Sequence, residues 1–316
     1  MKAILVNPDR SLTWSEVPEP VCGEGEVIID IHATACNRAD VLQRAGKYPP
    51  PPGWPEWMGL ECAGVIAESK SPAYKVGDRV CALLGGGGYA EKIAVNAGMC
   101  MPIPEGLDFV TAAAIPETFA TAYMDLVMIA GMKAGDVVYV AAGASGLGSS
   151  AIQIAKLYGC KVITTVSTAE KPEAKKLVPA DIFVNYQTEK LADTFDACPP
   201  DIALDCAAGS AFGENFARMN VGGRWIIIST LAGEETNLNL RTVMKKNLHL
   251  MGVTLRSRTP EKKYEILANL RRDLWGAFEA KTMAPIIYAV LPITEAEKAH
   301  AMMDEKHIGK IVMTVK

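Results

Sequence analysis

No apolar run in this sequence approaches the roughly 20 residues needed to span a bilayer, and the opening MKAILVNPDR breaks at Pro8 before a signal-peptide core can form. No sign of charge dominates either. The 32 Lys and Arg against 36 Asp and Glu leave a net charge of -4, and basic pairs such as Lys245 with Lys246 and Arg271 with Arg272 stand apart. Nucleic acid is therefore not expected as the main partner. The eight cysteines include no C-x-x-C pair and are too few for a disulfide scaffold. They read as reduced, mostly buried thiols, and the chain as a cytoplasmic protein with no membrane partner.

What is present is enough apolar material for two cores: 316 residues, of which 49% are hydrophobic, match about two domains of ordinary size. The first third reads as short strands between Gly and Pro, namely KAILV, GEVIIDIHAT, CAGVIAES and YAEKIAV, a pattern expected of a small irregular β-barrel. The run Gly85 to Gly88 reads as a flexible connection within it. From about Phe119, helical periodicity alternates with short buried strands, VVYVAA, KVITTV, IALDCAA and RWIIIST. Such alternation predicts βαβ units in a doubly wound parallel sheet. An amphipathic helix, EKKYEILANLRRDLWGAF, and a closing strand, GKIVMTV, follow.

The segment GDVVYVAAGASGLGSSAIQIAKLYG places a buried strand, a glycine-rich turn and a helix in the order of a dinucleotide-binding turn. Gly143 suits the tight turn and Gly148 close helix packing, while Ser145 replaces the middle glycine. Ser145 leaves less room beside a pyrophosphate, but Gly146 and Leu147 follow at the helix start, where free N–H groups bind negative charge. The next strand ends in Val166, Ser167 and Thr168, with no Asp or Glu for the ribose hydroxyls of NAD. Two hydroxyls and Lys171 one turn on favour NADPH. Lys171 taken alone reads better as a solvated surface lysine, and Glu170 is expected to point to solvent from the helix start.

With these residues in place, the chain resembles the zeta-crystallin-like, zinc-free quinone oxidoreductase branch of the medium-chain dehydrogenase/reductase family over nearly its whole length. The matching stretches are NRADVLQRAGKYPPPPG, MGLECAGVI, VGDRVCALLGGGGYAEK, MPIPEGLDFVTAAAIPETFATAY, AAGASGLG, LDCAAGS, LRSR and IGKIV. The resemblance implies an α/β chain: a GroES-like β-barrel catalytic domain from residues 1–118, returning over 260–316, around a Rossmann-type NADPH-binding domain at 119–259. It also implies a homodimer joined through edge strands. Zinc-dependent members carry a catalytic Cys and a Gly-His-Glu; here Asn37 and Leu60 occupy those places beside Glu61, and the four-cysteine zinc lobe is missing, so no metal site is expected.

By the same matching, Asn37 lies near the nicotinamide ribose and substrate, Tyr48 at the substrate cleft, and Thr121 and Leu255 toward the cofactor. Ser167, Thr168, Lys171 and Tyr186 would hold the adenosine phosphate. Tyr48 reads either as a cleft residue or as an aromatic packed on the proline run, and the WPEW segment as a bulky aromatic edge. The implied reaction is hydride transfer from NADPH to a quinone. An alkenal or enone double-bond reductase and a non-catalytic NADPH-binding protein are the competing readings.

Overall fold

The computed structural model describes all 316 residues. Residues 1–120 with 256–316 form one compact unit and residues 121–255 another. In the first, the apolar run of KAILV forms β1 (Lys2–Val6), paired antiparallel with β2 (Leu12–Glu16). The ten-residue β3 (Glu26–Ala35) is buried along most of its length because strands pair on both sides of it. Helix α1 (Arg38–Arg44) starts at Asn37. Strands β4 (Glu61–Ser69), β5 (Arg79–Leu83), β6 (Lys92–Asn96) and β7 (Cys100–Pro102) follow, then helices α2 (Phe109–Ala113) and α3 (Pro116–Tyr123).

The second unit alternates strand and helix. Its elements are β8 (Val137–Val140), α4 (Gly146–Leu157), β9 (Lys161–Val166), α5 (Lys171–Leu177), β10 (Ile182–Asn185), α6 (Leu191–Ala197) and β11 (Ile202–Asp205). Then come α7 (Phe212–Phe216), β12 (Arg224–Ile227), α8 (Leu240–Lys246) and β13 (His249–Gly252). All pairings are parallel, in the order β10-β9-β8-β11-β12-β13. Numbered from β8, this is the doubly wound 3-2-1-4-5-6 sheet, whose strand order reverses between β8 and β11. Trp225, Tyr139, Phe195, Phe212 and Phe216 form an aromatic core on it, and the Trp225 indole N–H donates to the Asp205 carboxylate at 3.1 Å.

The chain returns to the first unit through α9 (Pro260–Glu279), capped by Thr259 and with Pro260 in its first turn. Its Ile266, Leu270, Leu274 and Phe278 recur at helical spacing and are buried, as the amphipathic pattern requires. Strands β14 (Ile287–Pro292) and β15 (Lys310–Thr314), separated by α10 (Ala296–Met302), complete a sheet ordered β14-β15-β3-β4-β5-β7, with β6 on β3. This sheet and the parallel one are the GroES-like and Rossmann-type halves expected from the sequence.

One expectation fails: Gly85 to Gly88 is not a flexible connection, because all four residues are buried. A Cβ on Gly85 would stand 2.6 Å from the Trp54 indole nitrogen, and one on Gly88 2.9 Å from the Glu61 carbonyl. The missing side chains let the backbone pass under the WPEW loop, where the Trp57 N–H donates to the Gly87 carbonyl at 3.1 Å.

Candidate active site

The glycine turn leaves β8 at the point where strand order reverses. Ala142 takes φ 53°, a left-handed conformation uncommon outside glycine, and is held there by its N–H to Thr165 Oγ1 at 3.1 Å. Gly143 donates to the Thr165 carbonyl at 3.0 Å, and a Cβ on it would lie 2.1 Å from Thr164 Oγ1. A Cβ on Gly148 would lie 2.3 Å from the Ala142 carbonyl oxygen. Both glycines are thus demanded by close approach, of strand to turn and of turn to helix. Ser145 is the N-cap of α4: its Oγ accepts the Gly148 N–H at 2.9 Å. The N–H groups of Gly146 and Leu147, first in the helix, have no acceptor within it, as in any first helical turn.

At the end of β9, Ser167 is buried and Thr168 exposed. Glu170 does not point to solvent. Its carboxylate accepts the Ser167 N–H at 2.8 Å while its own N–H reaches Ser167 Oγ at 3.4 Å, a capping box that a Ser-x-x-Glu spacing encodes. Lys171 is not a solvated lysine either: its ammonium lies 2.7 Å from the Glu189 carboxylate, which also accepts the Asn185 N–H at 2.7 Å. Thr168 Oγ1 accepts from the Asn185 amide at 2.7 Å, and Tyr186 beside it is exposed.

Asn37 lies two residues past the end of β3 and is the N-cap of α1. Its N–H donates to Asp40, which also accepts the Gly59 N–H, both at 2.9 Å; burial pushes the Asp40 carboxyl up to about 6. The Asn37 amide donates to Glu61 at 2.9 Å, and its oxygen accepts from the Lys310 ammonium at 2.6 Å. Lys310 also reaches Glu61 at 2.8 Å and the Cys36 carbonyl at 2.9 Å. The second Glu61 oxygen accepts the Glu117 N–H at 2.9 Å, at the first turn of α3, the helix that carries Thr121. Glu61 and Lys310 are 0% and 4% exposed, so a buried carboxylate has its counter-charge in the chain itself. Leu60 is buried as core, and no group of three or more His, Cys, Asp or Glu is arranged to hold a metal ion.

The other end of α1 carries Tyr48 on the following turn. Its ring lies 4.6 Å from the Arg256 guanidinium, a cation–π contact. Arg256, itself buried, donates to the Gly85 carbonyl at 2.7 Å, the Gln43 side chain at 2.7 Å and the Tyr48 carbonyl at 3.1 Å. Burial pushes the Tyr48 phenol up, and the guanidinium opposes that shift. Leu255 and Thr121 are each 7% exposed.

Lys310 and Arg256 are the site residues that sequence reasoning missed. Both had a signal: a lone lysine inside the apolar run IGKIVMTV, and an arginine following LMGVTL, are charges that only a partner makes tolerable.

A parallel sheet with a glycine turn and an anion-ready helix at its reversal of order is the nucleotide half of an NAD(P)-dependent oxidoreductase. Two family patterns match the chain: the alcohol dehydrogenase GroES-like domain over residues 23–105 and the zinc-binding dehydrogenase domain over residues 146–271. Human quinone oxidoreductase is 31% identical over 315 residues, covering 95% of this chain and 93% of that protein. The quinone oxidoreductase of Thermus thermophilus, solved with its NADPH complex, superposes with a TM-score of 0.84 at 30% identity, covering 100% of both chains. Squalestatin tetraketide synthase of Phoma sp. (strain C2932) is 32% identical over 270 residues, 81% of this chain, and the match spans 10% of that protein's length. The chain belongs to the medium-chain dehydrogenase/reductase family, among relatives that include quinone oxidoreductases.

Proposed function

We propose that the protein is a zinc-independent, NADPH-dependent quinone oxidoreductase acting on small quinones. The observation that carries this reading is the Lys310 ammonium on Glu61, with the Asn37 amide beside it. An internal cation satisfies the carboxylate that zinc-dependent relatives keep beside their metal. Without a Lewis acid, alcohol oxidation lacks its usual driving group, whereas a quinone becomes aromatic on reduction and needs none.

Bound NADPH supplies the hydride; the chain binds and orients. The first turn of α4 would hold the pyrophosphate, and Ser167, Thr168, Lys171 and Tyr186 would hold the adenosine phosphate. On the nucleotide unit Thr121 and Leu255 would lie toward the nicotinamide, and on the other unit Asn37 is kept in one rotamer by Lys310 and Glu61. Tyr48, flat on Arg256, offers the quinone a stacking surface, and its raised phenol makes it a poor acid. The proton for the quinone oxygen then comes from water.

NADPH oxidation followed at 340 nm with a quinone panel, an enone panel and neither, with and without chelator, tests the reading. Turnover of quinones indifferent to chelator is expected. Enone turnover alone replaces quinone reduction by double-bond reduction, inhibition by chelator overturns the metal-free mechanism, and binding without turnover reduces the protein to an NADPH-binding one.

A homodimer fits the same reading. Strand β13 ends the parallel sheet with Leu250 44% exposed, and α8 before it exposes Leu240 and Met244; an open apolar edge of this kind calls for a partner. Light scattering at micromolar concentration is expected to return twice the monomer mass, and a clean monomer rejects it. No helix is long and apolar enough to cross a membrane. The eight free cysteines support a reducing, cytoplasmic setting.

A further inference from the structure

We propose that Glu189 is an internal competitor for the cofactor's adenosine 2′-phosphate and so sets the preference between NADPH and NADH. The inference rests on the reading of the Ser167 to Lys171 corner as the phosphate end of the site. There, Lys171 and Thr168 are already engaged by the segment after β10. Lys171 Nζ donates to both Glu189 oxygens, at 2.7 and 3.0 Å, and Asn185 N donates to one of them at 2.7 Å. The Asn185 amide occupies Thr168 Oγ1, and the Thr168 N–H donates to Gln187 at 2.8 Å. A carboxylate resting on a lysine and a backbone N–H has the contacts a phosphate oxygen would take.

The Glu189 side chain is 47% exposed and that of Lys171 23%, so the pair is screened and weak. A phosphate of charge near two, with three acceptor oxygens, displaces it. NADH carries a neutral hydroxyl there and leaves the pair intact. Glu189 therefore opposes NADPH in two ways, by occupying Lys171 in the free protein and by repelling the phosphate once displaced. Neither acts on NADH.

The test is equilibrium binding, read as quenching of protein fluorescence, of NADPH, NADH and adenosine 2′,5′-bisphosphate to the full chain and its Glu189→Gln, Glu189→Ser and Lys171→Ala variants. Glu189→Gln is expected to tighten NADPH and the bisphosphate by about two- to fivefold, the scale of an exposed charge pair, with NADH unchanged. Glu189→Ser is expected to act in the same direction, which separates loss of charge from a local effect of glutamine. If Lys171→Ala weakens NADPH selectively while both Glu189 variants bind as wild type, or tighten NADPH and NADH equally, the competitor role is overturned and the phosphate site stands. If wild type binds NADH as well as NADPH and Lys171→Ala moves neither, the phosphate reading itself fails, and the role of Glu189 with it.

Discussion

Lys310 is the residue on which the polar interior of the first unit turns. Its ammonium is shared by Glu61, Asn37 and the Cys36 carbonyl, each at 2.9 Å or less. Replacing it by methionine keeps most of the stem and leaves a fully buried carboxylate without its cation. Lys310→Met is expected to lose about 3–5 kcal/mol in urea unfolding, and Lys310→Met with Glu61→Gln to recover most of it, because the second change removes the stranded charge. A double variant no more stable than the single one would show that the pair does not act as a unit. Tyr48 calls for a smaller effect. Its ring already rests on Arg256, so Tyr48→Phe keeps the stacking surface and is expected to cost less than about tenfold in turnover, roughly 1.4 kcal/mol of barrier. A loss of several hundredfold in steady-state quinone reduction would make the phenol a proton donor.

At the scale of elements, helix α4 shows a motif departing from its pattern for a structural reason. Serine in place of the middle glycine is an N-cap, in extended backbone with its Oγ on the Gly148 N–H. Ser145→Ala is expected to cost about 1 kcal/mol and Ser145→Gly only a few tenths, measured by thermal unfolding, since glycine is tolerated at N-caps and alanine is not. Equal losses would deny the hydroxyl its capping role. The strands of the parallel sheet were legible because buried strands and amphipathic helices differ in period. Gly85 to Gly88 was misread because four glycines carry no record of what presses on them. Only the Trp54 ring and the Glu61 carbonyl, distant in sequence, show that the run is packed. Strands β2, β5 and β7 were likewise missed, being short and held by pairing rather than by a strong local pattern.

For the molecule as a whole, acid is the informative perturbation, because burial moves two of its groups in opposite directions. His300 on α10 is 2% exposed, its Nδ1 has no hydrogen-bond partner, and burial takes it from 6.5 to about 4. Its Nε2 lies 3.2 Å from the Tyr89 hydroxyl, and Arg44, Arg38, Glu297 and Asp304 surround it at longer range. A depressed folded-state value means the neutral ring is favoured; the stability it contributes is present above pH 6.5 and lost as pH falls toward 4. The loss is on the order of 3 kcal/mol. Asp40, raised from 3.8 to about 6, acts in the other direction over an overlapping window. His300→Gln is therefore expected to flatten the acid limb of the stability curve, read as the difference from wild type between pH 7 and pH 4. Parallel curves would place the proton elsewhere. By itself the sequence determined the α/β class, the nucleotide turn and the departure from zinc ligands, because these depend on local period and on residue identity at fixed spacing. Only the tertiary structure decided which charges neutralise one another, as Lys310 does Glu61 and Glu189 does Lys171. Coulomb energy depends on separation and burial, and for residues 249 positions apart, as for the first pair, neither can be read along the chain.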